Sequence, residues 1–186
     1  RSRIGIINNP HNQTESNVGV EKGADFILDS SLLLKFSNYY LSVFNFPVPE
    51  SISKKDYFTI LAKSIIYFRD FINNELNKNE KQIVIGGDHC VSLSSVMALI
   101  DRVKNLNKIG YIHFDSHGDI NLFKDSPSKN FHGMYLRPLF DTFDIPLINS
   151  LIPNKIPTKN LLIVGNLDLD KGEKVFIENK DIKSIS

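Results

Sequence analysis

The residues best suited to chemistry lie in one short segment, which reads Asp-Ser-His-Gly-Asp at positions 115–119. It directly follows an apolar run, and its three ligand-type residues, Asp115, His117 and Asp119, are spaced by two. In an extended segment this spacing points all three side chains to one side. Such converging groups would repel one another or stay unsatisfied, and a divalent cation resolves that conflict. The ligand types suit Mn²⁺, Zn²⁺ or Fe²⁺, and the alternative is an ordinary turn with a helix-capping aspartate.

A second segment of chemical interest reads Gly-Gly-Asp-His at positions 86–89. Two glycines after a short apolar strand let the backbone turn tightly and approach a ligand closely. His89 then lies at the start of the next helix, where a lone histidine is more often structural. It becomes a ligand candidate because neighbouring parallel strands end at the same edge of a sheet, which brings His89 near Asp115. Asp88 is expected to orient His89 or a backbone amide.

Two further segments give weaker signals. His132 follows a polar loop and can serve as a proton shuttle because the unperturbed pKa of histidine is about 6.5, although a surface histidine is the plainer interpretation. The acidic run from Asp168 to Glu173 follows an apolar strand. It is either an ordinary helix start or a site for a cationic group.

The elements that must position these residues alternate between short β-rich runs and longer helical stretches. Strands are predicted at 3–7, 41–46, 82–85, 109–114, 161–164 and 182–185, and helices at 19–37, 54–76, 91–104, 132–143 and 170–179. The helix at 54–76 is the clearest because apolar residues recur at three- and four-residue spacing, and Ser53 is its predicted N-cap. This alternation predicts one α/β domain over 1–186, with a mainly parallel sheet between two helix layers and the ligand site at the carboxyl ends of the strands.

Composition and charge exclude several classes of function. The 186 residues are 41% hydrophobic and 23% charged, which is ordinary for a globular protein. The net charge of +1 gives no basis for binding nucleic acid or a membrane surface. No apolar run reaches the roughly 20 residues of a membrane-spanning helix. The single cysteine, Cys90, rules out an intrachain disulfide and favours a cytoplasmic protein.

Together these residues resemble the ureohydrolase family, whose members include arginase, agmatinase and formiminoglutamase. Positions 86–89 match its Gly-Gly-Asp-His motif, and positions 115–119 match its Asp-Ala-His-x-Asp motif with Ser116 in place of alanine. Positions 18–24 resemble its Gly-Val-Glu-x-Gly-Pro segment, so the resemblance covers essentially the whole chain. It implies a three-layer αβα fold and hydrolysis of a guanidinium C–N bond with two Mn²⁺ ions.

Within the family the sequence is most similar to arginase. Positions 126–134 resemble the arginase loop Ser-Pro-Ser-Gly-Asn-x-His-Gly, and positions 167–173 resemble its Arg-Asp-x-Asp-Pro-Gly-Glu segment. The resemblance implies hydrolysis of L-arginine to L-ornithine and urea by a homo-oligomer, often a trimer or hexamer in this family. By this resemblance, one metal is held by His89, Asp115 and Asp119, and a second by Asp115 and His117. The catalytic residues are Asp119 and His132, with His132 as the proton shuttle. The substrate carboxylate contacts Asn121, Ser128 and Asn130, and its α-amino group contacts Asp170 and Glu173.

The sequence departs from the family pattern at several positions. Lys129 replaces the loop glycine and is expected to change the shape of the loop. Leu167 replaces an arginine, Lys171 a proline and Cys90 a serine. His113 is more typical of agmatinase, although a buried strand histidine is the plainer interpretation.

The family's third motif, Ser-x-Asp-x-Asp-x-x-Asp-Pro, supplies two further aspartate ligands and does not occur in the 186 residues. The chain also begins without methionine, inside a predicted strand. We therefore expect an incomplete or shortened version of a longer protein, with the last strands of the sheet missing. Two alternatives stay open: agmatinase or formiminoglutamase activity, and a metal-free homologue that acts as a scaffold or regulatory subunit.

Overall fold

The computed structural model describes residues 22–29, 41–46, 53, 55–76 and 81–186. The strand predicted at 3–7 and most of the helix predicted at 19–37 lie outside these residues. Of that helix the structure describes α1, Gly23–Leu28. Within the described ranges, no helix has the length and apolar character needed to cross a membrane.

A parallel sheet carries the residues of greatest chemical interest. Its strands are β1 (Tyr111–Phe114), β2 (Leu161–Val164) and β3 (Lys183–Ile185). They lie in the order β1-β2-β3, and both neighbouring pairs are parallel. Parallel neighbours need a crossover connection, and the helix α6 (Lys171–Asn179) lies between β2 and β3 in the chain. The predicted parallel α/β arrangement is confirmed, and all three strands fall inside predicted ones.

Two long helices, α2 (Tyr57–Glu75) and α3 (Val91–Val103), pack on each other and form much of the core. On α2 the buried apolar residues keep three- and four-residue spacing: Leu61, Ile65, Phe68 and Ile72. The Ser94 hydroxyl on α3 donates a hydrogen bond to the backbone oxygen of Ile65 (3.0 Å). Both predicted helices are confirmed to within three residues at each end.

The start of α2 differs from the prediction. Its N-cap is Asp56, not Ser53. The Ser53 hydroxyl instead accepts the backbone N–H of Asp56 (3.2 Å), in the turn that precedes the helix. A serine with an aspartate three residues later therefore stabilised a turn here, one residue ahead of the helix.

Two predicted strands are wrong. Residues 41–46 form no strand; instead the rings of Phe44 and Phe46 contact Phe68 on α2 at centroid distances of 5.1 and 5.2 Å. An alternating apolar pattern marks one buried face, and that face can pack on a helix without a hydrogen-bonded ladder. Residues 82–85 likewise form no ladder with any described residue, and Ile83 is 71% exposed.

The remaining helices are short. The helix predicted at 132–143 is divided into a 3₁₀ turn, Phe131–Met134, and α4, Arg137–Phe140, where Pro138 lies in the first turn. Proline is tolerated there because the first N–H groups of a helix have no internal partner. The others are α5 (Pro146–Asn149) and the 3₁₀ turns Leu106–Lys108 and Thr158–Asn160.

Candidate metal centre

Asp115 lies directly after β1, at the carboxyl end of the sheet. Its N–H donates to the backbone oxygen of Val164 at the end of β2 (3.0 Å), so the ladder fixes where the site begins. Gly165 has φ +105°, and a Cβ built on it would lie 2.8 Å from the backbone oxygen of Asp115. The close approach of the two strand ends therefore depends on a glycine at position 165.

Beyond Asp115 the chain bends. The Asp115 carboxylate accepts the N–H of His117 (3.0 Å), which closes a local turn. Asp119 then adopts φ +50°, in the left-handed region that non-glycine residues rarely occupy. The prediction of an extended segment over 115–119 is therefore wrong. The turn, rather than strand alternation, directs Asp115 and Asp119 towards His89.

His89 lies in the turn before α3 and contacts both aspartates. Its Nδ1 is 3.4 Å from Asp115 Oδ2, and its Nε2 is 3.4 Å from Asp119 Oδ2. One ligand atom from each of these three residues lies within 4.8 Å of the others. Asp88, the preceding residue, accepts the N–H of Cys90 (2.9 Å), so it fixes a backbone amide beside His89, as one of its two predicted roles required.

His117 lies on the opposite side of the Asp115 carboxylate. Its Nδ1 is 3.3 Å from Asp115 Oδ1, whereas His89 faces the other oxygen, Oδ2. The His117 side chain is largely exposed, and its Nε2 is 3.8 Å from a carboxylate oxygen of Asp168. The structure thus brings together His89, Asp115, His117 and Asp119, with the two oxygens of Asp115 turned to different histidines.

Unsatisfied buried atoms suit this cluster to a cation. His89 Nε2 and Asp119 Oδ2 are buried, and neither has a hydrogen-bond partner. Buried polar atoms are nearly always paired, so two orphans 3.4 Å apart call for an explanation. Two imidazoles and two carboxylates form a ligand set that suits a divalent transition metal, and the residues present therefore fit such an ion.

Local charges favour the ionised form of Asp115. Burial alone would raise its pKa, but the hydrogen bond from the His117 N–H and the electrostatic effect of the neighbouring His89 and His113 side chains lower the pKa overall. A carboxylate that stays ionised is the form that binds a cation.

His132, the predicted proton shuttle, lies in the 3₁₀ turn beside the cluster. Its ring centroid is 5.7 Å from that of His89. The ring is half-buried, and its Nδ1 is buried with no hydrogen-bond partner. Burial lowers the pKa of His132, so the imidazole is mainly neutral near pH 7 and can take up a proton.

Comparison with known proteins identifies the family. A profile described as "Arginase family" matches residues 2–186. The chain belongs to the arginase family.

Individual arginases show the same likeness. An arginase of Staphylococcus aureus (strain COL) is 33% identical over 196 residues, which cover 98% of this chain and 63% of that protein. An arginase of Entamoeba histolytica is 28% identical over 189 residues, with 97% and 63% covered. The crystal structure of Entamoeba histolytica arginase in complex with L-ornithine matches with a TM-score of 0.78 at 27% identity, covering 96% of this chain and 61% of that one. The predicted three-layer α/β fold is thereby confirmed, and the chain spans a little under two thirds of the length of these relatives.

The loop at 121–130, expected to contact substrate in an arginase-family protein, follows the metal segment, residues 115–120, and is hydrogen-bonded to the start of α6. Asn121 is buried and donates from Nδ2 to a carboxylate oxygen of Asp170 (2.8 Å). The Ser128 hydroxyl accepts the N–H of Asn130, itself buried (3.2 Å). These hydrogen bonds stabilise the loop and connect it to the start of α6. The predicted contacts of Asn121, Ser128 and Asn130 with a substrate carboxylate stay predictions.

Lys129, which stands where the family pattern has glycine, keeps a glycine-like backbone. Its φ is +59°, in the left-handed region. Its ammonium donates to the backbone oxygens of Phe123 (2.7 Å) and Lys124 (2.8 Å) and lies 5.3 Å from the Phe123 ring centroid. These contacts tie the loop to its own start and stabilise a conformation that would otherwise favour glycine.

Glu173 holds the metal segment from the side of α6. It is buried, and its two carboxylate oxygens accept the N–H groups of Ile120 (3.3 Å) and Asp170 (3.0 Å). With Asp170 it forms a capping box at the start of α6. Burial raises the pKa of Glu173. The predicted contacts of Asp170 and Glu173 with a substrate amino group stay predictions.

Sequence reasoning missed a largely buried chain of polar side chains that reaches Asp119. It runs from Tyr111 through Tyr135 to His113, whose Nε2 is 3.3 Å from Asp119 Oδ2. The available signal was the position of His113, two residues before Asp115 in a strand and therefore on the same face.

Proposed function

We propose that the protein is a dinuclear manganese hydrolase that splits the guanidinium group of L-arginine into L-ornithine and urea. The observation that carries this proposal is the approach of ligand atoms of His89, Asp115 and Asp119 to within 4.8 Å, in a chain of the arginase family. The orphaned buried atoms at the cluster support a bound cation over a metal-free scaffold.

Four residues would hold the two ions. His89, Asp115 and Asp119 would bind one, while Asp115 and His117 would bind the other. When bound, the ions would lower the pKa of a bound water and so supply a hydroxide nucleophile near neutral pH. The part of the chain is to keep Asp115 ionised between two histidines and to hold Asp119 in its left-handed conformation.

His132 would move the proton. Its partly buried ring lies beside His89, and burial lowers its pKa, so the neutral imidazole can accept a proton near pH 7. The departing amine needs a proton to leave, and a histidine protonated in the same turnover can supply it. The unpartnered Nδ1 of His132 is the atom free to form a new contact in the loaded site.

The polar loop favours arginine over related guanidines. We propose that Asn121, Ser128 and Asn130 bind the α-carboxylate and that Asp170 and Glu173 lie at the α-amino end. A substrate without an α-carboxylate, such as agmatine, would have no use for the first group. A site built to hydrogen-bond a substrate group rejects analogues that lack it.

Metal content and product analysis of the intact protein test the proposal together. We expect close to two Mn²⁺ per chain and release of urea from L-arginine but not from agmatine or formiminoglutamate. Asp115→Ala should remove both ions and all activity, whereas Asp70→Ala, at an exposed ion pair on α2 (2.7 Å to Arg69), should change neither. His132→Ala should keep the ions and lose activity. Full-length protein that binds no Mn²⁺ would contradict the proposal, and so would preference for agmatine.

A further inference from the structure

A chain of buried and partly buried polar side chains reaches the Asp119 carboxylate of the candidate metal centre. The Tyr111 and Tyr135 hydroxyls lie 3.1 Å apart, and the Tyr135 hydroxyl is 3.4 Å from His113 Nδ1. On the other side of the ring, His113 Nε2 is 3.3 Å from Asp119 Oδ2. His113, Tyr135 and Asp119 are each at most 5% exposed, so solvent does not compete for these contacts.

The carboxylate sets the direction of the whole chain. An ionised Asp119 can only accept, so the ring nitrogen that faces it must carry the hydrogen. A neutral His113 with N–H at Nε2 has a lone pair at Nδ1, and the Tyr135 hydroxyl must donate to it. Tyr135 then accepts from Tyr111. Each hydroxyl thus donates one hydrogen bond, and all the hydrogen bonds of the chain run in the same direction, from Tyr111 to the metal segment.

The ring nitrogen of His113 and the carboxylate oxygen of Asp119 that face one another both lack a hydrogen-bond partner among the described residues. His113 Nε2 and Asp119 Oδ2 are both buried, and neither makes a hydrogen bond in the described structure. His113 is not among the three residues whose ligand atoms lie within 4.8 Å of one another. It faces Asp119 Oδ2, the same oxygen that lies 3.4 Å from His89 Nε2, and a small rotation of the carboxylate would complete the contact.

We propose that His113 is a positioning residue that orients the Asp119 carboxylate for cation binding, and that Tyr135 and Tyr111 fix the ring in the required tautomer. The inference deepens the proposed function, because it takes Asp119 as a metal ligand. Carboxylates that bind metals are commonly held by a second hydrogen-bonding partner, and losing that partner typically weakens metal affinity about 10–100-fold. An aspartate on a left-handed backbone has particular need of such support.

Two variants of His113 distinguish its positioning of Asp119 from the space that its ring fills. His113→Phe removes both ring nitrogens and keeps an aromatic ring, whereas His113→Gln restores an N–H near the position of Nε2. Tyr135→Phe removes only the hydroxyl that faces Nδ1. Tyr67→Phe on α2, an exposed tyrosine, is the matched control. Thermal unfolding with EDTA shows that each variant folds before any metal is added.

Mn²⁺ titration followed by electron paramagnetic resonance measures the effect in the intact protein. We expect His113→Phe to weaken binding about 10–100-fold, Tyr135→Phe to weaken it less, His113→Gln to recover part of the loss, and Tyr67→Phe to match the wild type. Unchanged affinity in folded His113→Phe would overturn the inference. So would a His113→Gln variant that binds as poorly as His113→Phe.

A metal-free measurement keeps this inference separate from the proposed function. Nitrogen-15 spectra of labelled histidine in EDTA report which ring nitrogen of His113 carries hydrogen. We expect the Nε2–H form in the wild type and a loss of that preference in Tyr135→Phe. An Nδ1–H ring in the wild type would overturn the positioning role, even if manganese binds. A protein that binds no Mn²⁺ but shows the Nε2–H form would contradict the proposed function and leave the orienting contact with Asp119 supported.

Discussion

Replacing Glu173 by glutamine tests how the metal segment is held in place. In the native protein the two carboxylate oxygens of Glu173 accept the N–H groups of Ile120 and Asp170, at 3.3 and 3.0 Å. Glutamine keeps the size of the side chain but has only one accepting atom. In Glu173→Gln, one of the two backbone N–H groups would therefore face an amide NH₂ and lose its partner.

The size of the loss follows from these two contacts. A hydrogen bond to a charged acceptor contributes about 1.5–3 kcal/mol to stability. Removing a buried charge recovers part of that, because burial disfavours the ionised form and raises the pKa of Glu173. We expect the free energy of unfolding to fall by about 1–2 kcal/mol, which for a chain of this size lowers Tm by roughly 2–8 °C.

Thermal and urea unfolding of the metal-free protein at about pH 7 measure this difference. Glu178→Gln is the matched control, since Glu178 is exposed on the same helix, α6. Its stability should stay within about 0.5 kcal/mol of the wild type. If Glu173→Gln were no less stable than Glu178→Gln, the contacts to Ile120 and Asp170 would contribute nothing, and α6 would not support the metal segment.

Three further predictions use the same helix and loop. In Gly172→Ala the new Cβ would lie 2.7 Å from Asn121 Oδ1, so we expect a lower Tm and a raised KM for arginine with unchanged metal content. Gly110 has open space around it, so Gly110→Ala should match the wild type in both assays. Lys129→Met removes two hydrogen bonds, so its free energy of unfolding in urea should fall by about 1.5–3 kcal/mol. The fall for Lys129→Gly should be about 1 kcal/mol smaller because glycine tolerates the positive φ. Equal losses for the two variants would contradict this account. Because the folded-state pKa of Glu173 is raised, ionising its carboxyl costs stability as pH rises above the ordinary value of 4.5, so the advantage of the wild type over Glu173→Gln should be larger below pH 4.5 than the one expected at pH 7 in a series of denaturant titrations.

The elements with a repeating apolar pattern were predictable, and those that depend on a distant partner were not. In the helix α2 and the strand β2, the apolar residues of the element itself repeat with the spacing that is typical of that kind of element. Residues 41–46 have a strand-like pattern as well, yet their phenylalanines pack on α2. Whether an apolar face meets a ladder or a helix is decided by tertiary contacts, which a local pattern does not contain.

At the candidate site the residue types were predictable, but the way in which they converge was not. The sequence motifs pointed to His89, Asp115, His117 and Asp119, and the structure brings these four together. The spacing of two suggested an extended segment, whereas a turn closed by Asp115 brings the side chains together. Spacing alone cannot distinguish the two because a side-chain hydrogen bond to the backbone is a competing use of an aspartate.

The backbone at Asp119 shows why the turn is stable before any cation binds. A left-handed conformation costs a non-glycine residue about 1–2 kcal/mol. Two hydrogen bonds flank that residue: Asp119 accepts the N–H of Leu136 at its carbonyl (3.1 Å), and the next N–H, of Ile120, donates to Glu173 (3.3 Å). Each contributes about 1 kcal/mol or more, so together they offset the strain. The backbone conformation of Asp119 is therefore set by contacts within the described chain, and ion binding need not supply the energy to create it.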